Sequence, residues 1–153
     1  MMKLSTKGRY GLRAMIDLAA NAKEGPSTIH AIAERQEISE RYLEQLLIPL
    51  KQSGLVKSVR GSQGGYMLGR DPQDISVGDI IRVLEGPVSP VDCVSEQNPD
   101  ECKRADTCVT RTIWTKVRDC IADVLDSYSL MDLVNEARHM SGDKAVTPDI
   151  DPQ

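Results

Sequence analysis

The sequence predicts a mainly α-helical chain with one small β-hairpin, and three observations carry that prediction. Leu43, Leu46, Leu47 and Leu50 recur at i, i+3, i+4 and i+7, the period of a helix that buries one face. Two short β-prone runs, Leu55–Val59 and Tyr66–Leu68, flank the glycine-rich turn RGSQGG. Farther on, Trp114, Val117, Ile121, Val124 and Tyr128 are spaced 3, 4, 3 and 4 apart, the seam of a helix lying along another helix.

In chain order, Ser5 caps a first helix, STKGRYGLRAMIDLAANA, whose Leu12, Met15, Ile16 and Ala19 share one face. The stretch KEGP ends it, and a short helix follows from Thr28 to Gln36. After a tight turn at Ile38, Ser39 caps the leucine-striped helix. Pro49 is expected to kink or shorten that helix, because proline lacks the amide hydrogen and crowds the preceding turn. Gly54 closes it. After the hairpin, Ser76 and Asp79 in SVGD form a capping box for a helix reaching Glu85. EGPVSP breaks the chain. A long helix begins at Thr110, and a further one over Leu130–His139 is expected to pack on it. The end, SGDKAVTPDIDPQ, is polar and rich in Asp and Pro, the composition of a disordered tail.

Composition narrows the class. The chain has 153 residues, no Phe and only 3% aromatic residues, so its core must be aliphatic. No apolar run approaches the roughly 18 residues of a membrane span. The N-terminus is basic but has no apolar signal region, which predicts a cytoplasmic location with reduced thiols. The net charge of −4 hides an asymmetry: residues 1–70 carry 11 Lys and Arg against 6 Asp and Glu, and the acidic excess falls in the remainder. A basic half on an acidic protein suits a polyanion on one face.

A short helix, a turn, a striped helix and a hairpin, in that order, make a winged helix-turn-helix head. With the leucines inward, Glu40, Arg41, Glu44, Gln45 and Lys51 face out, along with Tyr42 at the edge. Arg41 can fork onto guanine and Gln45 can pair with adenine in a major groove. Arg60 and Gly61 stand at the wing tip, where one arginine suits a narrow minor groove. Lys7 and Arg9, with Arg13, begin the first helix, and Thr28 and Ser39 begin the next two, where amides and cations can hold phosphate. The bland alternative is a solvated, charged surface. The heptad-spaced helix suits dimerisation, since a single module of this kind binds weakly; the alternative is a core helix within one subunit.

Three cysteines in VDCVSEQNPDECKRADTCVTR have no zinc-ribbon pairing. Their spacing leaves two readings open, an iron–sulfur cluster with a non-cysteine fourth ligand and a thiol-based redox switch. Cys120, inside the long helix, reads as a small packing residue. No nucleophile–base or paired-carboxylate arrangement points to an enzyme; a small iron–sulfur electron carrier is the reading from another class.

LSTKGRYGLRAM, ISERYLEQLL, LVKSVRGSQGGYMLGR and ISVGDIIRVLEGP resemble the Rrf family of bacterial winged-helix transcription regulators, over about residues 2–135. The resemblance implies a homodimeric, mainly repressing regulator of iron–sulfur biogenesis genes that binds double-stranded operator DNA. It implies one 2Fe–2S cluster per subunit on Cys93, Cys102 and Cys108, received from cluster-assembly proteins. The family's nitric-oxide-responsive and cysteine-metabolism repressors share the head, and the latter lack these thiols. The glutamate matching Glu44 is implied to discriminate between operator classes. Cluster-sensing members place a ligand histidine where this chain has Arg111, and the nitric-oxide-sensing branch uses an acid where it has Arg9, so the fourth ligand is unassigned. The expected organisation is a DNA-binding head over 1–86, a cluster loop over 87–111, dimerisation helices over 112–140 and a tail over 141–153.

Overall fold

Residues 4–97 and 102–142 are described by a computed structural model; the expected disordered tail lies outside them from residue 143 onward. Helix α1, Thr6–Ala20, starts where the Ser5 hydroxyl accepts from the Lys7 amide, as its sequence predicts. Helix α2, Ile29–Gln36, is capped by Thr28 and stops at Glu37, which takes a left-handed conformation with φ 54°. Helix α3, Glu40–Gln52, is capped by Ser39 and buries Leu43, Leu46, Leu47 and Leu50. Each fully buried leucine is worth about 1.5–3 kcal/mol, enough in sum to fix which face of α3 turns outward.

Pro49 neither ends nor shortens α3, which runs on to Gln52. The amide it lacks would have bonded the carbonyl of Gln45, an exposed residue whose carbonyl water can serve, so the loss is small.

Strands β1, Val56–Val59, and β2, Gly65–Leu68, pair antiparallel with Val56 opposite Leu68 and Val59 opposite Gly65. Ser27 adds a bridge to this hairpin: its amide donates to the Tyr66 carbonyl at 2.9 Å and the Tyr66 amide returns the bond at 2.7 Å. Gly65, at φ 153°, is required there, because a Cβ would overlap the Ser27 carbonyl.

Helix α4, Val77–Glu85, has the expected capping box of Ser76 and Asp79. It lies against α1 so closely that a Cβ on Gly11 would overlap Leu84. Helix α5 spans Val109–Ser127, and α6 spans Leu130–Met140 behind a second capping box at Ser129 and Asp132. Two backbone bonds, Val77 N–H to the Tyr128 carbonyl at 2.9 Å and Leu130 N–H to the Ile75 carbonyl at 2.8 Å, stitch the α5–α6 junction to the start of α4.

The main core joins α1, α2, α3, the hairpin and Ile80, and it also takes Leu130 and Val134 of α6. So α6 packs on the head, chiefly on α1, rather than mainly on α5 as its sequence position suggested. A smaller cluster of Val77, Ile81 and Val88 receives Ile121 and Leu125 of α5. The seam residues are thereby divided. Ile121 faces inward and Val117 is half-buried, whereas Trp114, Val124 and Tyr128 are exposed, Val124 by 58%. Tyr128 lies just beyond the helix in an extended conformation. Val109, Ile113 and Cys120 are exposed as well, and their spacing puts them on one face with Val117 and Val124. Cys120 therefore has no packing role within the subunit.

Candidate nucleic-acid interface and cysteine loop

The outward face of α3 carries Glu40, Arg41, Glu44, Gln45 and Lys51, all exposed, with Ile48 between them. Tyr42 is half-buried: its hydroxyl donates to Thr6 Oγ1 at 3.1 Å and its ring meets Tyr10 edge-on at 6.1 Å. It thus braces α3 against α1 while its flank remains beside the exposed face. Arg60 and Gly61 are exposed at the hairpin tip, Gly61 at φ 115°, a conformation glycine takes without strain. Thr28 and Ser39 both spend their hydroxyls on caps, accepting from Ala31 at 3.1 Å and Tyr42 at 3.2 Å.

The start of α1 differs from a bare phosphate cradle. Glu85 of α4 reaches over it: the Gly8 amide donates to Glu85 Oε1 at 2.8 Å, and the Ser5 hydroxyl donates to the same oxygen. A carboxylate already sits on the positive end of this helix. Lys7 stays exposed there and Arg9 is half-buried. Arg13 is buried and turns away, donating to the Gln36 carbonyl at 2.8 Å and the Gln36 side chain at 3.3 Å.

Arg13 belongs to a buried polar network that the sequence did not announce. Asp17, fully buried, accepts from Arg35 Nη2 at 2.6 Å, Arg35 Nε at 2.9 Å and Gln36 Nε2 at 3.0 Å. Arg35 also donates to Ser27 Oγ at 3.1 Å, next to the bridge that holds the wing. One buried network therefore links α1, α2 and the segment bridged to the hairpin. The available signal was Arg13 and Asp17 standing within the apolar stretch of α1. At the N-terminal end of α3, His30 Nδ1 lies 2.7 Å from Glu40 Oε1 and Nε2 lies 3.9 Å from Glu34. The hydrogen bond to Glu40, with the charges of Glu40 and Glu34, raises the imidazole pKa above its ordinary 6.5.

The cysteine loop is tethered at both ends. Around the turn Asp92–Val94, the Cys93 carbonyl accepts from Arg111 Nη2 at 3.5 Å and the Val94 carbonyl accepts from Arg118 Nη1 at 3.0 Å. Two residues on, Glu96 pairs with Arg82 of α4. At the far end Cys108 is the N-cap of α5, with its Sγ 3.1 Å from the Thr110 hydroxyl. That contact, with the backbone of Arg111 and the charge of Arg104, lowers the Cys108 pKa below the ordinary thiol value. An open depression of about 540 Å³ lies alongside, lined by Asp106, Cys108, Arg111, Thr115 and Lys116. Cys102 is exposed, and all four cysteines are free thiols. Three thiolates suit iron and sulfide chemically. Yet among the described residues no three of His, Cys, Asp or Glu are gathered so as to hold a metal ion. Arg111, whose guanidinium cannot ligate, lies against Cys93 instead of offering a donor.

The model of the Rrf2 family, described as an iron-dependent transcriptional regulator, matches residues 4–136. The chain belongs to the Rrf2 family. Its Rrf2 likeness extends to CymR, an HTH-type transcriptional regulator of Bacillus subtilis, at 50% identity over 88% of this chain and 91% of that protein. IscR of Pectobacterium atrosepticum, also an HTH-type transcriptional regulator, is 43% identical over 88% of this chain and 80% of its own length. Among solved structures, T. potens IscR superposes with a TM-score of 0.74 at 50% identity, covering 91% of this chain and 90% of that one. The global cysteine regulator CymR of B. subtilis gives the same score of 0.74 at 49% identity over 89% and 98%. This Rrf2 chain is accordingly a DNA-binding transcription regulator with the winged-helix fold. Among its described residues, no helix is long and apolar enough to cross a membrane.

Proposed function

We propose that this Rrf2 regulator is a cytoplasmic homodimeric repressor whose operator binding is set by a 2Fe–2S cluster on Cys93, Cys102 and Cys108. The observation that carries this reading is a single loop with three thiols, tethered to the head through α4 and to α5 through Cys108. Its DNA contacts are Arg41, Glu44 and Gln45 of α3 on base edges, and Arg60 with Gly61 in the minor groove. Lys7, Arg9, Thr28, Ser39, Glu40, Tyr42 and Lys51 flank the phosphate backbone or support α3. The exposed apolar face of α5 meets its copy across a two-fold, Trp114, Val117, Val124 and Tyr128 forming the seam with Ile113. Iron–sulfur assembly proteins are the source of the cluster, and the fourth ligand comes from outside position 111. When bound, the cluster would gather the loop; the chain's own part is to supply thiolates and to pass the loop's arrangement to the head.

The test is anaerobic purification with visible spectra and operator binding for single Cys→Ala variants. Changes at Cys93, Cys102 or Cys108 should each remove the visible absorption and leave a folded protein; Cys120→Ala should keep the colour. Coloured loop variants would overturn the ligand set. A second reading, repression of cysteine metabolism without a cluster, draws support from the 50% identity to CymR. A parent protein that stays colourless with iron and sulfide, yet binds its operator, would select that reading.

A further inference from the structure

Helix α4 lies between the cysteine loop and the DNA-binding head, and Arg82 is its only side chain paired with both the loop and α5 among the described residues. The guanidinium donates from Nε and Nη2 to the two carboxylate oxygens of Glu96, at 3.1 and 3.2 Å. It donates from Nη1 and Nη2 to those of Asp126, at 2.6 and 3.0 Å. Glu96 is three residues beyond Cys93, and Asp126 is in the last turn of α5. Backbone at Gly78 comes so near that a Cβ would overlap Asp126 and lie 2.6 Å from Arg82 Nη1. On its other flank α4 is embedded in the head, with Ile80, Val83 and Leu84 in or against the main core and Glu85 on the Gly8 amide.

The two carboxylates differ in what else holds them. Asp126 rides on a regular helix whose end is already stitched to α4 by the Val77–Tyr128 bond. Glu96 rides on the loop, where of residues 92–97 only Val94 is buried. Val94 is buried and its carbonyl is held by Arg118, so a rearrangement of the loop beyond that anchor moves Glu96 and leaves Asp126 in place. One guanidinium shared by two acids then redistributes its donors between them, and α4 feels the difference through a bidentate, charge-assisted contact.

We infer that Arg82 is a positioning residue that carries the state of the cysteine loop to the head, with Glu96 as the loop's half of the contact. This rests on the reading of the loop as the regulatory segment. It makes Glu96 and Asp126 unequal partners of one arginine, which a purely structural ion pair would not.

The experiment compares full-length parent, Glu96→Gln and Asp126→Asn, each metal-free and each reconstituted anaerobically with iron and sulfide. Operator affinity is read by fluorescence anisotropy, and amide hydrogen exchange is followed over 77–85. In the parent, reconstitution should change affinity by about 5–150-fold, the usual range of coupling between sites. Glu96→Gln should keep the visible absorption and the metal-free affinity while its reconstituted-to-metal-free ratio falls to about one. Asp126→Asn should retain the parent's ratio. A full ratio in Glu96→Gln, or an equal collapse in Asp126→Asn, would overturn the assignment. If the parent takes up no cluster, the regulatory reading fails by that result alone. Faster exchange over 77–85 in metal-free Glu96→Gln then still supports the loop-to-α4 link, and unchanged exchange overturns it.

Discussion

Val124→Asp separates an interface from a core in a single substitution. Val124 is 58% exposed in one subunit, so an aspartate there meets water in a lone chain and its folding is nearly unaffected. In the proposed dimer that exposed surface is covered. Fully burying a valine is worth about 1.5–3 kcal/mol, so covering the exposed part contributes about 2–3 kcal/mol over the two copies. Two carboxylates brought into an apolar seam cost several kcal/mol more. At about 1.4 kcal/mol per tenfold, the dissociation constant of the dimer should rise by on the order of a thousandfold or more. Sedimentation velocity across a concentration series reads this directly, and a circular-dichroism melt shows whether the subunit is intact. Ile121→Asp is the contrast: Ile121 packs against the Val77, Ile81 and Val88 cluster, so it should lower the melting temperature as well. A Val124→Asp protein that remains a dimer at the parent's concentration would place the interface off this face of α5.

Asp17→Ala should destabilise the chain by about 3–5 kcal/mol, since it strands Arg35 and the buried Gln36; denaturant unfolding giving less than about 1 kcal/mol would show the network to be incidental. Arg41→Ala should cost about 1–3 kcal/mol at one base position, whereas Arg60→Ala should weaken operators with narrow A/T-rich grooves most; titrations against substituted operators distinguish them, and parent-like binding by both would refute the docking. The raised His30 pKa stabilises the protonated form in the folded state, so that stabilisation is complete below about 6.5 and is lost as pH rises through the raised value. His30→Ala should therefore remove a pH dependence of melting temperature in that window; identical curves would discount the Glu40 contact. Arg111→His should slow loss of the visible absorption in air by restoring an imidazole at the loop's edge; a decay rate equal to the parent's would exclude that corner.

Much of the head could be read from local patterns. The leucines of α3, the caps at Ser5 and Ser39 and the Ser76–Asp79 box are short-range signals, and each formed as its spacing required. Position along α5 was harder. A 3-4 spacing names a stripe but not what covers it, and the stripe proved wide enough to serve two neighbours, α4 through Ile121 and open solvent through Val124. The placement of α6 on α1 depended on contacts more than a hundred residues apart, which periodicity cannot register. Glu85 on the Gly8 amide, Ser27 bridged to Tyr66 and Arg82 between two acids are likewise pairings of distant residues. Their sequence neighbourhoods look like ordinary surface. Pro49 does not shorten α3, although the local rule is sound, because the carbonyl it orphans belongs to an exposed residue.

Among the described residues, none between 89 and 111 belongs to either apolar cluster. Apart from the buried Val94 and its anchors, the segment with three thiols can therefore change in length and composition without unmaking the fold that reads DNA. A lineage could exchange one stimulus for another there by point substitutions and small insertions, while the protein stayed soluble and kept recognising its promoters. The constraint would fall on the few anchoring positions, Arg82 and Arg118 among them, rather than on the cysteines themselves. Such a division lets one DNA reader be inherited intact under many different signals.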